Sequence, residues 1–310
     1  MNLRAFALLA LLFVFGFGCA PETPETPTPD DVSADTTQAT AAAAPSTDIW
    51  LVALPDDVTA LDPSGVQNIT ARAGYDNQPS FTPEGDALLF TAQYGEQTDI
   101  YKYDLEGETT TQLTRTTQSE YSATVLPDGS AFSVIQVEDD GTQRLWAFDR
   151  DGTNPRLVLE DVMPVGYHAW GDDETLGLFV LGDPQTFQVA STTTGQADTL
   201  ASRIGRSIHK IPNAAAISFT QAQDEGPAMI LRYDLATGSI SDLMETRPER
   251  QDYAWLPDGS ILMGDGSVLF RARPGSPWEA IADFGPHGVQ DITRLAVDPQ
   301  GQYLALVGSE

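Results

Sequence analysis

The sequence has few of the residues that most often carry chemistry. Its single cysteine, Cys19, can form no disulfide within the chain. Its three histidines lie in no H-E-x-x-H motif, the signature of many zinc hydrolases. It also has no G-x-S-x-G segment, the turn that presents the nucleophile in α/β-hydrolases. We therefore predict no catalytic residue, no bound metal and no cofactor.

Basic residues are also scarce. The chain has 16 Lys and Arg against 45 Asp and Glu, a formal net charge of -29 and a pI near 4.1. Only two of the cations, Lys102 and Lys210, are lysines. Nucleic acids and anionic membrane surfaces are polyanions, so this charge argues against either as the main partner. The surplus of carboxylates resembles the surface of proteins from salt-loving organisms, and an ordinary acidic secreted protein is the alternative.

The one long apolar run lies at the amino terminus, at residues 5–17. It follows Arg4, is short for a membrane span, and ends at Gly18-Cys19. A small residue followed by cysteine at this place resembles the lipobox of bacterial lipoproteins. That resemblance implies a signal peptide at residues 1–18 and acylation of Cys19, which would anchor the protein stably. The alternatives are a plain signal peptide with an incidental cysteine and an uncleaved anchor.

Residues 19–47 are rich in Pro, Thr, Ala and acidic residues and contain no aromatic residue. Such a segment has almost nothing to bury, so we predict a disordered tether that begins at the lipidated cysteine. It leaves no room for a second folded domain before residue 48. The folded domain is therefore predicted to span residues 48–310.

From there on the chain repeats one pattern six times. In "YSATVLPDGSAFSVI" (residues 121–135), two apolar strand-like segments flank a Pro-Asp-Gly turn. Each copy adds two further strand-like segments, and no stretch has a helical period. The turn residues that anchor the copies lie 40–45 positions apart and are Pro83, Pro127, Asp172, Pro212, Pro257 and Pro299. This period is typical of propeller blades, so we predict an all-β fold with four-stranded blades.

The two ends of the repeat region complete each other. The last copy, at residues 292–310, stops after its second strand, whereas residues 48–70 match the third and fourth strands of a copy. The segment "TDIWLVAL" at residues 47–54, for example, matches "TDIYKYDL" at residues 98–105. We predict a six-bladed β-propeller whose last blade is shared between the two ends, which leaves no sheet edge exposed.

These segments also resemble a known repeat. "LTRTTQSEYSATVLPDGSAFSVI" (residues 113–135) and "DIYKYDLEGETTTQLT" (residues 99–114) are similar to the TolB-type, WD40-like propeller repeat, also called PD40. The resemblance covers residues 48–310 and implies a TolB-like propeller. TolB itself carries an α/β domain before its propeller, for which residues 1–47 leave no room, so its partners are not carried over to this chain.

The cations are unevenly placed along the chain. Eight of them lie, with nine acids, in the segments that lead into the inner strands, here called the lead-in loops, whereas the rest is strongly acidic. These loops are residues 71–78, 114–121, 160–168, 201–210, 245–252 and 283–294. In a propeller they emerge on one face around the tunnel, where they would form a docking face for an acidic protein partner. The candidate residues are Arg203, Arg206, His209, Lys210, Arg247, Arg250 and Arg294. The alternative is that the arginines pair with acids of neighbouring loops, such as Glu138 and Asp224.

His168 begins an inner strand, so its side chain is a candidate to face the tunnel. A lone histidine there is more often a hydrogen-bonded structural residue than a ligand. Six-bladed lactonases and phosphotriesterases line their tunnels with Asp, Asn and Glu around calcium. A calcium-dependent hydrolase of that kind is the alternative to a binding module.

Together these features predict a lipid-anchored propeller outside the cytoplasm. The expected place is the outer membrane, facing the periplasm or the cell surface. There the chain would act as a monomeric binding or scaffold module for an envelope protein, and not as an enzyme.

The lipidation of Cys19 can be tested directly. The wild-type protein should partition into detergent and into the membrane fraction, because several acyl chains hold it there. A Cys19→Ser variant cannot be acylated and should stay in the aqueous phase. Mass spectrometry of the native amino-terminal peptide decides the matter: an unmodified Cys19, or an intact Met1, would show that the interpretation is wrong.

Overall fold

Six four-stranded antiparallel sheets stand side by side in a ring, in a computed structural model that describes residues 46–309. In chain order the strands are β1 (Asp48–Ala53), β2 (Gln67–Asn68), β3 (Asp76–Phe81), β4 (Ala87–Tyr94), β5 (Gln97–Asp104), β6 (Thr109–Gln112), β7 (Ser119–Val125), β8 (Ala131–Val137), β9 (Gln143–Asp149), β10 (Arg156–Leu157), β11 (Val165–Trp170), β12 (Thr175–Val180), β13 (Thr186–Ser191), β14 (Ala197–Ser202), β15 (Ile204–Lys210), β16 (Ala216–Gln221), β17 (Met229–Asp234), β18 (Ile240–Glu245), β19 (Tyr253–Trp255), β20 (Ile261–Asp265), β21 (Val268–Ala272), β22 (Glu279–Asp283), β23 (Gln290–Val297) and β24 (Tyr303–Ser309).

The strands group into blades of four. Blade 1 contains β3–β6, blade 2 β7–β10, blade 3 β11–β14, blade 4 β15–β18 and blade 5 β19–β22. Blade 6 has the order β23, β24, β1, β2 and so takes two strands from each end of the described chain. The inner strands are β3, β7, β11, β15, β19 and β23, each the first of its blade. The predicted all-β, six-bladed propeller with four-stranded blades is confirmed.

The repeated Pro-Asp-Gly motif forms the tight turn between an inner strand and its neighbour. In blade 2 the Gly129 amide donates to the carbonyl of Leu126 over 2.9 Å, and Gly129 has a φ of +71°, which favours glycine. The carboxylate of Asp128 accepts a hydrogen bond from the backbone amide of Ser130 at 2.9 Å. Blade 5 repeats this contact between Ser260 and Asp258 at 2.8 Å. The turn residues therefore fix the geometry of the hairpin.

The core consists of apolar layers between neighbouring blades. The second strand of a blade is apolar on both faces, because a neighbouring blade covers each face. In β4, Leu88 and Phe90 pack in the layer shared with blade 6, and Leu89 packs in the layer shared with blade 2. Aromatic rings meet across such layers: Phe187 of blade 3 stacks on Phe219 of blade 4 with centroids 4.0 Å apart. Each blade is thus stabilised by its two neighbours.

The predicted sharing of the last blade is also confirmed. β24 pairs with β23 on its inner side and with β1 on its outer side, where Ile49 lies opposite Val307. β23 starts at Gln290, two residues before the predicted start. β2 has only two residues, because 3₁₀ turns at Val58–Ala60 and Pro63–Gly65 occupy much of the connection from β1. A third 3₁₀ turn, Gly285–His287, precedes β23.

No helix between residues 46 and 309 combines the length and the apolar character needed to cross a membrane.

Closure of the ring can be tested by truncation. Removing residues 290–310 would take away the inner partner of β1 and expose two blade edges, so we expect aggregation or loss of cooperative thermal unfolding. A chain that begins at Ser46 is the matched control, and it should melt cooperatively because it keeps every strand of the ring. Calorimetry compares the two. A truncated protein that melts like the control would contradict the shared blade.

Candidate functional site

A tunnel runs through the centre of the ring, and its cavity has a volume of about 540 Å³. The inner strands of all six blades contribute to its wall. The lead-in loops surround one mouth, here called the lead-in mouth, and the Pro-containing turns surround the other. A concave site lined by apolar walls and a few polar side chains is the usual place to bind a ligand or a partner segment. The tunnel is therefore the candidate functional site.

Irregular pairing near the start of the inner strands shapes the tunnel wall. Five of the six strands shift register there, and in two of them Gln78 and Ser122 have positive φ angles of 58° and 55°. Such bulges bend a strand and redirect its side chains. Each strand then lines the cavity with the residue five positions before its turn anchor, and these residues are Gln78, Ser122, Tyr167, Ser207, Asp252 and Arg294.

Two members of this ring meet across the tunnel. Arg294 lies in blade 6 and Tyr167 in blade 3, the opposite blade of the six. The Nη2 atom of Arg294 donates a hydrogen bond to the Tyr167 hydroxyl at 2.8 Å, and its guanidinium lies 4.9 Å from the centre of that ring. The edge of Tyr167 packs against Phe179, with centroids 5.6 Å apart, which holds the phenol in place. Arg294 forms no ion pair with any carboxylate in residues 46–309.

Two further tyrosines belong to the same electrostatic environment. Burial raises the pKa of the Tyr75 hydroxyl to about 12, and the positive charges of Arg294 and Arg206 act in the opposite direction. Tyr167 and Tyr121 add to the upward shift. The phenolic hydroxyls of Tyr75, Tyr121 and Tyr167 therefore lie within electrostatic range of one another, and both guanidinium groups act on Tyr75.

Four of the seven predicted docking residues line the tunnel: Arg206, His209, Lys210 and Arg294. Arg206 forms a two-point ion pair with Asp252, with Nε–Oδ1 at 3.0 Å and Nη2–Oδ2 at 2.6 Å. The Lys210 ammonium bonds to the carbonyl of Gly171, and burial lowers its pKa. The tunnel thus holds its cations in defined positions.

The imidazole of His209 is half-buried in the tunnel wall. Its Nε2 atom lies 2.8 Å from the Ser207 hydroxyl, and its edge contacts Tyr253 with centroids 4.7 Å apart. Burial lowers the pKa of His209 to about 4, so the side chain is neutral at pH 7. His209 therefore adds a polar but uncharged group to the tunnel.

The other three predicted docking residues lie on the rim and pair with carboxylates of the chain. Arg203 bonds to Asp224 at 2.8 Å, a pair of the kind the ion-pair alternative named. Arg247 and Arg250 share Asp265, at 2.7 Å and 3.1 Å, and Arg250 also reaches Asp291 at 2.9 Å. These contacts neutralise much of the positive charge of the rim. Any docking of an acidic partner would therefore depend mainly on the tunnel mouth.

His168 lies beside the cavity, but its imidazole is bonded between two blades. Its Nε2 atom is 2.7 Å from the hydroxyl of Ser133 in blade 2, which also accepts a hydrogen bond from the Trp170 indole at 2.9 Å. The contact recurs between blades 4 and 5, where Ser218 bonds both the phenol of Tyr253, at 2.7 Å, and the indole of Trp255, at 2.8 Å. Tyr253 occupies the position of His168 in its own blade. These are the contacts of a structural residue that joins blades.

Sequence reasoning missed the aromatic half of the lead-in mouth. Tyr75, Tyr121 and Tyr167 are not among the predicted site residues, because aromatic residues that recur with the blade period are expected in the core before anywhere else. For Tyr167 the available signal was the constant offset of five residues from the turn anchor, which identifies the ring. Tyr121 and Tyr75 lie six and eight residues before their anchors, outside that pattern. The predicted lipidation site, Cys19, lies outside the described residues. In the described part of the chain, no three histidine, cysteine or carboxylate side chains are placed to hold a metal ion.

Comparison with known proteins identifies the fold. A TolB structure from Agrobacterium tumefaciens superposes with a TM-score of 0.67 at 14% identity and covers 85% of this chain and 98% of that one. TolB from Acinetobacter baumannii superposes with a TM-score of 0.54 at 12% identity. The match covers 85% of this chain and 64% of the Acinetobacter protein. A chain of a nidogen/laminin complex gives 0.58 at 13% identity, with 84% and 98% covered. No family model matches the sequence. At these identities the likeness shows the fold alone, and that fold is a TolB-like six-bladed propeller, as the resemblance predicted.

The buried state of His168 predicts a pH effect on stability. Burial lowers its pKa from 6.5 to about 3, so between these values the unfolded chain takes up a proton that the folded chain does not. As the pH is lowered through this window, the free energy of unfolding should decrease by about 1.4 kcal/mol per pH unit for this residue. A His168→Gln variant should lose less stability than the wild type on acidification from pH 7 to pH 4, as urea unfolding would measure.

The matched control is His287→Gln, because His287 is exposed. The buried acids of the fold respond equally in all three proteins, so the difference isolates His168. Parallel stability curves for the wild type and His168→Gln would contradict burial of a neutral imidazole.

Proposed function

We propose that this chain is a binding module of the bacterial cell envelope, held to the membrane through a lipidated Cys19, and that a protein partner docks at the lead-in mouth. The observation that carries the proposal is Arg294. It is a cation in the wall of a partner-sized cavity, and in the described structure the only hydrogen-bond acceptor of its guanidinium is the hydroxyl of Tyr167. The partner would supply the carboxylate that the chain itself does not.

The chemistry of the mouth favours an acidic segment. A guanidinium bonds a carboxylate more strongly than a phenol, because the charged acceptor makes shorter and stronger hydrogen bonds. An entering carboxylate would displace the Tyr167 hydroxyl from Arg294 and could then accept bonds from both groups. The tyrosine rings around the mouth offer contact area at a low cost in side-chain entropy. A cavity of about 540 Å³ admits a few residues of an extended chain, so an acidic loop or a carboxyl terminus fits best.

The overall charge of the chain limits the range of this attraction. With a net charge of -29, the propeller repels an acidic partner at long distance. Salt at physiological strength screens such repulsion beyond about 8 Å, so docking would depend on short-range contacts at the mouth. We therefore expect binding to tolerate salt better than a purely steered association does.

Known propellers support binding without deciding it. One structural neighbour is solved within a nidogen/laminin complex, which joins two proteins, and two others are TolB proteins. The binding role itself is drawn from the tunnel mouth of this chain.

The alternative, a calcium-dependent hydrolase, has less in the tunnel to support it. Such a site gathers several oxygen ligands around the ion. Of the six ring residues only Asp252 is a carboxylate, and Arg206 already bonds both of its oxygens. This favours a binding module over an enzyme.

The test distinguishes a binding role of the Arg294 guanidinium from a structural role of its hydrogen bond to Tyr167. A photo-crosslinking amino acid in place of Tyr121 would identify the partner in native envelopes, and its binding would then be measured with the purified protein. Arg294→Gln should weaken that binding about 10- to 100-fold, the range expected for losing a hydrogen bond to a charged group. Tyr167→Phe should leave binding equal or tighter, because it removes the competing hydroxyl.

Arg156→Gln is the matched control, since Arg156 pairs with Asp149 at 3.0 Å on the outer edge of blade 2. It should bind like the wild type. Full binding by Arg294→Gln, or equal losses in Arg294→Gln and Tyr167→Phe, would show that the bridge is only a structural tie across the tunnel.

A further inference from the structure

Two neighbouring blade junctions are built from matching residues. The junction of blades 6 and 1 (the 6/1 junction) and that of blades 1 and 2 (the 1/2 junction) each contain a Thr-Asp-Ile segment at the start of a third strand, at residues 47–49 and 98–100. The amide of Ile49 donates to the Thr70 hydroxyl at 3.0 Å, and the amide of Ile100 donates to the Thr114 hydroxyl at 2.8 Å. The two junctions can therefore be compared position by position.

Each junction buries a carboxylic acid at the same place. Asp76 and Glu120 lie seven residues before their turn anchors, Pro83 and Pro127, and both are 0% exposed. Burial raises the pKa of Asp76 to about 6 and that of Glu120 to about 7. A buried carboxylate is costly unless a positive charge or several donors compensate it.

The 6/1 junction supplies that positive charge from its own sequence. Arg72 lies four residues before Asp76 and forms an ion pair with it, while its Nη1 atom donates to the carbonyl of Gln93 at 3.0 Å. Four residues before Glu120 stands Thr116, whose hydroxyl bonds to Glu120 Oε1, and the hydroxyl of Thr114 also interacts with this carboxylate. Glu120 has no ion-pair partner in residues 46–309. The 1/2 junction therefore repeats the acid without repeating the cation.

Three buried oxygen atoms of the 1/2 junction also lack a hydrogen-bond partner: Glu120 Oε2, Gln136 Oε1 and Thr98 Oγ1. The three side chains belong to residues that are 0%, 5% and 4% exposed. Glu120 and Gln136 are direct partners across β7 and β8, so their side chains lie on one face of blade 2.

That face looks towards blade 1. Val134, two residues from Gln136 on β8, packs in the layer shared by blades 1 and 2, and Ile100 packs in the same layer from blade 1. Thr98 is two residues from Ile100 on β5, so its hydroxyl points to the same layer. The backbone amide of Thr98 also contacts the Ser119 hydroxyl at 3.4 Å, next to Glu120. All three unpartnered oxygens thus open into one interblade space.

We propose that the 1/2 junction binds a monovalent cation, such as Na⁺, in the place that the Arg72 guanidinium takes in the 6/1 junction. Its ligands would be Glu120 Oε2, Gln136 Oε1 and Thr98 Oγ1. A carboxylate, an amide carbonyl and a hydroxyl are all oxygen donors, which suit a hard cation. A single positive charge equals the charge that Arg72 brings to the matching site.

Two other charged groups act on this space. Asp99 lies close enough to raise the pKa of Glu120, and it accepts a hydrogen bond from Gln97 at 3.2 Å. The positive charge of the exposed Arg115 opposes the upward shift that burial causes in the pKa of Asp99, and Arg115 forms no ion pair with Glu120. A proton on Glu120 is the competing occupant, since it could bridge Glu120 Oε2 and Gln136 Oε1. The test must therefore be made above the pKa of Glu120.

The experiment is a set of thermal melts at pH 8.5 in 0.5 M NaCl or 0.5 M tetramethylammonium chloride, which have equal ionic strength. A cation that binds only the folded state raises the melting temperature, by about 5 °C if 0.5 M lies well above its dissociation constant. The wild type should show this rise in NaCl alone. Glu120→Gln should melt equally in both salts, because its neutral amide satisfies the site without a cation.

Thr116→Arg is the complementary variant, because it places a guanidinium where the 6/1 junction has Arg72. It should also lose the difference between the salts. Glu106→Gln is the control for general charge effects, since Glu106 is exposed, and it should keep the wild-type difference. If Thr116→Arg does not fold, Glu120→Gln still decides the matter, and ²³Na line broadening by the wild type but not by Glu120→Gln measures binding directly.

Equal melting of the wild type in both salts would overturn the proposal, as would a salt difference that persists in Glu120→Gln. A wild type whose stability falls as the pH rises towards 7, with no preference among cations, would show that the site takes a proton only, which also overturns it.

Discussion

Strand β24 is hydrogen-bonded to β23 on one side and to β1 on the other, and this pairing joins the two ends of the described chain. A propeller blade buries both faces only when it has two neighbours, so an open ring would expose two apolar faces as well as two strand edges. The closing strand is accordingly apolar at Leu304, Ala305, Leu306 and Val307, all of them 0% exposed. The apolar layers on either side of blade 6 depend on this one pairing.

The candidate site depends on the same closure. Arg294 belongs to the inner strand of the closing blade, and its partner Tyr167 belongs to the blade on the far side of the tunnel. The distance between them is set by the number of blades and not by the 127 residues that separate them. A ring of another size would not bring this guanidinium to this phenol. The lead-in mouth is thus a product of the fold as a whole, although single residues form it.

The fold could be predicted because its determinants are local and repeated. Each turn anchor, such as Pro127, predicts one hairpin, and the sequence match between the two ends of the repeat region predicts that the ring closes. The contacts of the site could not be predicted in this way. In so acidic a chain every arginine has many possible partners, and only the folded chain selects Asp265 for Arg247 and Arg250. The assignment of His168 to the wall between blades needed the position of Ser133, which lies 35 residues away on another blade.

Differences among the copies carry more information than their common pattern. The position seven residues before the turn anchor is occupied, in chain order of the blades, by Asp76, Glu120, Val165, Gly205, Arg250 and Ile292. At Gly205 a Cβ atom would lie 2.5 Å from the Gln251 side chain, whose oxygen accepts the amide of Arg206 at 3.2 Å. The residue at this position therefore has a different role from blade to blade. Asp76 and Arg250 form ion pairs, Glu120 has no ion-pair partner in the described residues, and Gly205 leaves space for a neighbouring side chain. In a repeat protein each copy can be compared with its neighbours. The candidate cation site was found because blade 2 has the buried acid, Glu120, but lacks the arginine that pairs with the matching acid, Asp76, in blade 1.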